Sequence, residues 1–146
     1  MRWRLSLLLL SLTSMVNAAD CPNTLAEFGP VPSIITLKNC EHIESGQEHF
    51  ITNYLVSGKN AAQAEKWLQE RFDMKPLYYL CCGWEPVDRS DFRQNRDGRG
   101  HYLDKISNQY YDITMTSGET LTNERSQWPS IPQFFISVTW YPEGAI

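Results

Sequence analysis

The sequence predicts an α+β fold: a mostly antiparallel sheet of about five strands, with one amphipathic helix packed on one face. Two observations support this prediction. Five segments have the alternating or continuous apolar pattern of strands, and residues 59–73 instead repeat their apolar residues at helical spacing. The order strand, strand, helix, strand, strand, strand is typical of a helix that covers one face of an antiparallel sheet.

The first two strands are predicted at residues 34–43 and 49–56, joined as a hairpin by residues 44–47. A turn centred on Ser45 and Gly46 sets the pairing of the two strands. That register gives the hairpin one apolar face for the core, formed by Ile35, Leu37, Phe50, Tyr54 and Val56.

The helix is predicted over residues 59–73. Asn60 followed by Gln63 resembles a capping pair at its start, and Lys66 with Glu70 forms an i,i+4 ion pair. The apolar stripe that faces the sheet consists of Ala61, Ala64, Leu68 and Phe72, with Trp67 at its edge.

The remaining strands are predicted at residues 77–82, 110–117 and 133–141. The first is apolar on both alternating faces, which suits a central strand buried on two sides. The polar stretch 85–109 is interpreted as one long connection, of the kind that is usually functional or disordered. The last two strands alternate and point one row inward, made of Tyr111, Ile113, Met115, Phe134, Ile136, Val138 and Trp140.

The N-terminus has the pattern of a secretory signal. Arg2 and Arg4 precede an apolar run over residues 5–16, which is short of the about 20 residues that a membrane-spanning helix needs. Small residues follow at 16–18, so we predict a signal peptide at 1–19 and a single domain at 20–146. Asp20 precedes Cys21, where a lipid-anchored protein has a small residue. The product is therefore predicted to be periplasmic or secreted, with no membrane span.

Charge argues against a nucleic-acid partner. The chain has 13 basic and 17 acidic residues and a net charge of −4. Removing residues 1–19 removes two arginines and no acid, which makes the domain more acidic still. A nucleic-acid-binding surface requires basic residues to face the phosphates.

The four cysteines, Cys21, Cys40, Cys81 and Cys82, predict a disulfide framework, because their number is even and the chain is predicted to be exported. Neighbouring residues on a strand point to opposite faces. We therefore expect Cys81 and Cys82 each to pair with Cys21 or Cys40. A bond between Cys81 and Cys82, with Cys21 paired to Cys40, is the alternative.

A weak metal site is predicted at the hairpin tip. The predicted register places His42 opposite His49 on the polar face, with Glu44 nearby. Two imidazoles at that separation are ligands for a transition metal, and they would also resist joint protonation. A merely solvated tip is the simpler interpretation, and no cofactor is predicted.

The segment 85–109 carries most of the candidate partner-binding side chains, although a solvated surface loop is the simpler interpretation of this segment. Arginine forks bind carboxylates and phosphates well, and exposed aromatic residues are common anchors at interfaces. We predict a partner-binding group of Trp84, Arg93, Arg96, Arg99 and His101. Further candidate anchors are Tyr102, Tyr110 and Trp128.

The sequence contains no recognisable catalytic motif. It contains no G-x-S-x-G, and cysteines that are all oxidised would leave no thiolate. The acidic residues Asp88, Asp91, Asp104 and Asp112 are scattered, with nothing that fixes a pair at the separation used by glycosidases.

The segment Cys81-Cys82-Gly83-Trp84-Glu85 resembles a motif of a family of small exported bacterial proteins of unknown function. The similarity extends loosely through residues 56–59, 67–74 and 131–135 and includes Cys21 and Cys40. The resemblance implies a Gram-negative envelope location and one framework for the four cysteines. It implies no catalytic residue.

These observations favour a non-enzymatic binding module that acts as an inhibitor or immunity-type partner of an envelope protein. The predicted partner is a protein or an anionic envelope ligand. One alternative is a hydrolase of envelope polymers, which predicts a histidine, His101 or His49, in contact with a carboxylate or hydroxyl inside a cleft. Another is a structural component of an envelope assembly, which predicts a larger symmetric contact surface.

Overall fold

The structure is a computed structural model, and it describes residues 21–90 and 97–142. The predicted signal peptide lies outside the described residues. The same is true of Arg93 and Arg96, two of the predicted partner-binding side chains. Within the described ranges, no helix has both the length and the apolar character needed to cross a membrane.

A five-stranded antiparallel sheet forms the centre of the fold, in the order β1-β2-β7-β6-β5. The α+β class is therefore confirmed. In the three inner strands, buried residues alternate with partly exposed ones over residues 52–56, 111–115 and 134–138, as the alternating pattern predicts. The five strands are β1 (Thr36–Ile43), β2 (His49–Ser57), β5 (Gly100–Asp104), β6 (Gln109–Thr116) and β7 (Gln133–Trp140).

The long helix α2 spans Ala61–Phe72 and covers one face of this sheet, directly after a 3₁₀ helix at Gly58–Asn60. Its predicted stripe is confirmed, because Ala61, Ala64 and Leu68 are fully buried and Phe72 nearly so. The Lys66–Glu70 pair is confirmed at 3.7 Å. The predicted cap is wrong, since the Asn60 side chain makes no capping hydrogen bond.

Shorter elements complete the layer on the helix side of the sheet. They are α1 (Thr24–Glu27), a 3₁₀ helix at Arg125–Ser130, and a two-stranded sheet of β3 (Leu77–Leu80) and β4 (Gly83–Pro86). The Trp128 ring packs against Phe134 of β7 at 5.1 Å between centroids. The core therefore lies on one side of the five-stranded sheet.

Tyr54 connects the N-terminal segment to that core. Its hydroxyl accepts a hydrogen bond from the Leu25 N–H at 2.9 Å and donates one to Asn23 Oδ1 at 3.0 Å. Burial raises the pKa of Tyr54 to about 12. The phenol therefore stays protonated and remains a donor well above neutral pH.

The prediction of a central strand at residues 77–82 is wrong. Leu77 is fully buried, but the next three residues are only half-buried, and the strand pairs with β4 in the small sheet. It stops after Leu80 because Cys81 adopts a left-handed conformation with φ 52°. The central position of the large sheet is taken by β7 instead.

The interpretation of residues 85–109 as one long connection is also wrong. β5 lies within this segment and pairs with β6 at the sheet edge. Its sequence hides the strand, because the inward positions hold Gly100, Tyr102 and Asp104, of which only Tyr102 has a large ring. Gly100 is required by close packing, since a Cβ there would lie 2.8 Å from the Phe72 carbonyl oxygen.

The cysteines form two disulfides, Cys21–Cys40 and Cys81–Cys82. Our preferred pairing is therefore wrong and the alternative is confirmed. The preference assumed that Cys81 and Cys82 lie on a strand and point apart. Instead they form the two-residue turn between β3 and β4, where alternation does not apply.

Candidate functional site

The candidate site is the face of the five-stranded sheet that points away from α2. Because side chains alternate along a strand, the residues between the core positions of β2, β6 and β7 all point to this side. None of them is fully buried. We call this surface the open face; its side chains are Asn39, Glu41, Ile51, Asn53, Leu55, His101, Tyr110, Asp112, Thr114, Thr116, Phe135, Ser137 and Thr139.

An amide network occupies the centre of the open face. Asn53 Nδ2 donates to Asn39 Oδ1 at 3.0 Å and to Glu41 Oε1 at 2.9 Å. The Ser137 hydroxyl donates to Asn53 Oδ1 at 2.8 Å. One side chain thus joins β1, β2 and β7. Because its donors and acceptor are satisfied, the network holds these groups in fixed positions on the surface.

A charged group forms the β5 edge of the open face. Asp112 lies between Arg99 and His101: Oδ2 accepts from Arg99 Nη1 at 3.1 Å, and Oδ1 is 2.9 Å from His101 Nδ1. Arg99 Nε also donates to Asp97, at 2.7 Å from Oδ2. The hydrogen bonds from Arg99 lower the pKa of Asp97, and Asp97 in turn raises the pKa of Arg99. The Arg99 guanidinium is therefore already neutralised by two carboxylates.

Aromatic rings border the polar centre. Tyr110 stacks on His101 with 5.3 Å between centroids, and Tyr141 lies 5.4 Å from the His49 ring. Desolvation raises the pKa of Tyr110, so its hydroxyl remains a neutral donor. At the opposite end of the face, the Lys38 ammonium lies over the Phe135 ring at 5.5 Å.

The open face makes its side-chain contacts within itself. Among the described residues, the hydrogen bonds and ring contacts of its members run to one another or to neighbours at its rim, Arg99 and Lys38. The helices contact the opposite side, and the small sheet borders the open face beside Thr114 and Thr116, where Leu80 and Glu85 line shared grooves. The open face is therefore a surface of amides, hydroxyls, carboxylates, rings and aliphatic side chains, bordered by the small sheet at Thr114 and Thr116.

We call the group of Arg99, His101 and Asp112 the charged edge. Its histidine–carboxylate pair is one of the components that a hydrolase requires. A carboxylate that holds one nitrogen of a histidine is the usual partner of a general base. However, His101 is exposed, and within the described residues it contacts Asp112 and Tyr110, neither of which is a serine or cysteine nucleophile. Among the described residues, the groove beside this edge is lined by Asp97, Arg99 and Thr114 and not by His101, so the cleft that the hydrolase hypothesis predicts is not seen at this histidine.

The predicted partner-binding residues are separated by the fold. Arg99 and His101 lie together on the charged edge, and Tyr110 stacks beside them. Trp84 and Trp128 pack edge-to-face in the core, 5% and 2% exposed, so neither ring is available to a partner in this conformation.

The predicted pairing of His42 with His49 is wrong. A bulge at Lys38 shifts the register by one residue, so His42 lies opposite Phe50 and His49 opposite Ile43. His42 stacks on Phe50 at 4.2 Å and contacts Glu48 at 2.7 Å. In the part of the chain that the structure describes, no group of three or more His, Cys, Asp or Glu side chains is placed to hold a metal ion.

Two important members of the site are absent from the sequence-based prediction. The sequence predicts no role for Asn53, and it predicts Asp112 only as one of several scattered acids. Strand alternation was the available signal, because Asp112 lies between the core residues Tyr111 and Ile113. Its partners were not predictable while β5 was interpreted as a loop.

Comparison with known proteins assigns no family, since no family model, no curated protein and no solved structure matches the chain. The resemblance through the C-C-G-W-E segment therefore stays a prediction. The structure itself defines the class: an α+β domain with two disulfides and one open sheet face.

Proposed function

We propose that this protein is an exported, periplasmic or secreted binding module, which recognises a partner protein through the open face and has no catalytic role. An inhibitor or immunity-type partner of an envelope protein is the role that we favour. The observation that carries the proposal is the open face itself. It is pre-ordered by the Asn53 network and makes its side-chain contacts within itself and with its rim.

The size and composition of the open face support a protein partner. Five strands at about 4.8 Å spacing make it roughly 20 Å wide, the scale of the centre of a standard protein interface. Such interfaces combine aromatic anchors with ordered hydrogen-bonding groups. A pre-ordered surface also loses little side-chain entropy on binding.

The charges favour a protein over the anionic ligand that the arginines first suggested. Arg99 is neutralised by Asp97 and Asp112. The exposed Glu41 instead offers a carboxylate whose contact on the face is the neutral amide of Asn53. A partner that presents Arg, Lys or other donors therefore complements this surface.

The test introduces an arginine on the open face in one variant and on α2 in a second variant. Thr139 is half-buried at the middle of the open face, and Gln63 is exposed on α2. The mature protein and its Thr139→Arg and Gln63→Arg variants are immobilised and exposed to envelope extract. Any captured protein is then purified and its Kd measured. We expect Thr139→Arg to weaken binding at least about tenfold and Gln63→Arg to leave it unchanged, because a long cationic side chain at the centre of the face obstructs and repels a partner that presents Arg or Lys.

Equal losses in the two variants would place the binding site elsewhere. The hydrolase alternative is favoured by one observation, the 2.9 Å contact between His101 and Asp112. It predicts that the protein degrades an envelope polymer such as peptidoglycan, that His101→Ala abolishes this activity, and that no partner is captured. That result would overturn the binding proposal.

A further inference from the structure

The position of the vicinal Cys81–Cys82 disulfide suits a chemical role better than a role in stabilising the fold. Cys81 and Cys82 form the turn between β3 and β4, and both side chains are exposed. We propose that this disulfide is a thiol–disulfide exchange site, whose substrate class is a dithiol. The inference does not depend on the proposed binding function.

The Cys81–Cys82 bond constrains the chain very little. Crosslinks stabilise mainly by closing long loops in the unfolded chain. The sequence separation is 1 for Cys81–Cys82 but 19 for Cys21–Cys40. The Cys21–Cys40 bond, which closes the longer loop, therefore contributes most of the disulfide stabilisation. The Cys81–Cys82 bond contributes little.

Other contacts already hold the backbone beside the turn. The Thr120 N–H donates to the Cys82 carbonyl oxygen at 2.7 Å. The Trp84 N–H donates to Ser117 Oγ at 2.8 Å, and the Ser117 N–H returns a bond to the Trp84 carbonyl oxygen at 3.1 Å. Opening the disulfide therefore leaves β4 attached to the end of β6, and the hairpin keeps its place.

Access distinguishes the two disulfides. Cys21 and Cys40 are half-buried, whereas both cysteines of the turn are exposed. A groove of about 250 Å³ beside the turn is lined by Cys82, Trp84 and Glu119. It gives an incoming chain room to bring its sulfur to Cys82 Sγ.

The exchange is a balanced two-electron reaction. A thiolate of the dithiol attacks one sulfur of the pair, a mixed disulfide forms, and the other cysteine leaves as a thiolate that takes up a proton. The second thiol of the dithiol then attacks the mixed disulfide. The dithiol is oxidised to its disulfide, and Cys81 and Cys82 are reduced to two thiols.

The test uses the purified, oxidised mature protein and dithiothreitol as the probe dithiol. Samples are quenched at intervals, alkylated with N-ethylmaleimide, and each cysteine is assigned by peptide mass spectrometry. We expect Cys81–Cys82 to open at least about tenfold faster than Cys21–Cys40, because exchange rates follow access to sulfur. The near-ultraviolet circular dichroism of the core tryptophans should not change when the vicinal bond opens.

Three results would overturn the proposal: equal opening rates, loss of the tryptophan signal as the vicinal bond opens, or free thiols at Cys81 and Cys82 in the native product. A matched pair of variants tests the chemistry directly. Cys81→Ser leaves the Cys82 thiol, and Cys21→Ser leaves the Cys40 thiol. With glutathione disulfide as the probe, Cys82 should form the mixed disulfide at least about tenfold faster than Cys40. If Cys21→Ser fails to fold, the comparison within the wild-type protein still decides.

Discussion

Glu65 is a carboxylate in the core whose charge is matched at close range. It is only 5% exposed, yet it accepts the Leu77 N–H at 2.7 Å and both arms of the Arg125 fork at 2.7 and 2.8 Å. Arg125 Nη2 also donates to the Leu77 carbonyl oxygen at 2.9 Å. The hydrogen bonds from Arg125 to Glu65 raise the pKa of that guanidinium. Two side chains therefore attach the small sheet to α2.

Removing the charge of Glu65 tests this attachment. We expect Glu65→Gln to lower the free energy of unfolding by about 2 kcal/mol, because a charged two-point pair is replaced by a weaker neutral contact. Urea denaturation measures the change. The matched control is Glu70→Gln on the same helix, which breaks only the exposed pair with Lys66 and should cost under about 0.5 kcal/mol. Equal effects would mean that the buried pair contributes no more than a surface one.

At the scale of elements, the 3₁₀ helices Gly58–Asn60 and Arg125–Ser130 pack closely together, and Gly58 lies at their contact. Gly58 begins the turn before α2 and is fully covered by the second 3₁₀ helix. A Cβ built on Gly58 would overlap the carbonyl oxygens of Trp128 and Ile131. These are backbone atoms, which cannot rotate aside. The entry into α2 therefore requires a residue without a side chain.

We expect Gly58→Ala to cost about 3 kcal/mol in urea denaturation, because the two backbones must separate to admit the methyl group. Gly46→Ala is the matched control. Gly46 lies in the hairpin turn with φ +74° and open space around it. Gly46→Ala should therefore lower the free energy of unfolding by about 1 kcal/mol, the conformational cost alone. The close-approach argument fails if Gly58→Ala costs no more than the control.

For the molecule as a whole, the Cys21–Cys40 disulfide matters through the unfolded chain. It joins the N-terminal segment to the edge strand β1 with 5.5 Å between Cα atoms. That segment carries Thr24 and Leu25 into the core. The crosslink keeps these residues near the sheet even when the domain opens, which limits the entropy that unfolding can gain.

Replacing both cysteines of this bond by serine should lower the free energy of unfolding by about 3 kcal/mol. The m value of urea unfolding should rise as well, since the unfolded chain without the crosslink exposes more surface. The double variant Cys81→Ser/Cys82→Ser is the control and should change stability far less. A loss in the control as large as in the test variant would contradict the division of roles between the two disulfides.

The sequence by itself determined the secondary structure with strong periodicity and the α+β class. The apolar stripe of α2 and the alternation of β6 and β7 are local patterns, and a local pattern is enough to choose between helix and strand and to mark the buried face. The same alternation placed Asp112 on the solvent side. It could not say what Asp112 would meet there.

Only the tertiary structure decided which strands pair and in which register. The bulge at Lys38 moved His42 away from His49, and the pairing of β5 with β6 brought Arg99 and His101 to Asp112. These outcomes depend on contacts between residues far apart in the chain, where small differences in packing select one partner among several. The open face consists of such long-range pairings, which is why its composition was visible in the sequence and its geometry was not.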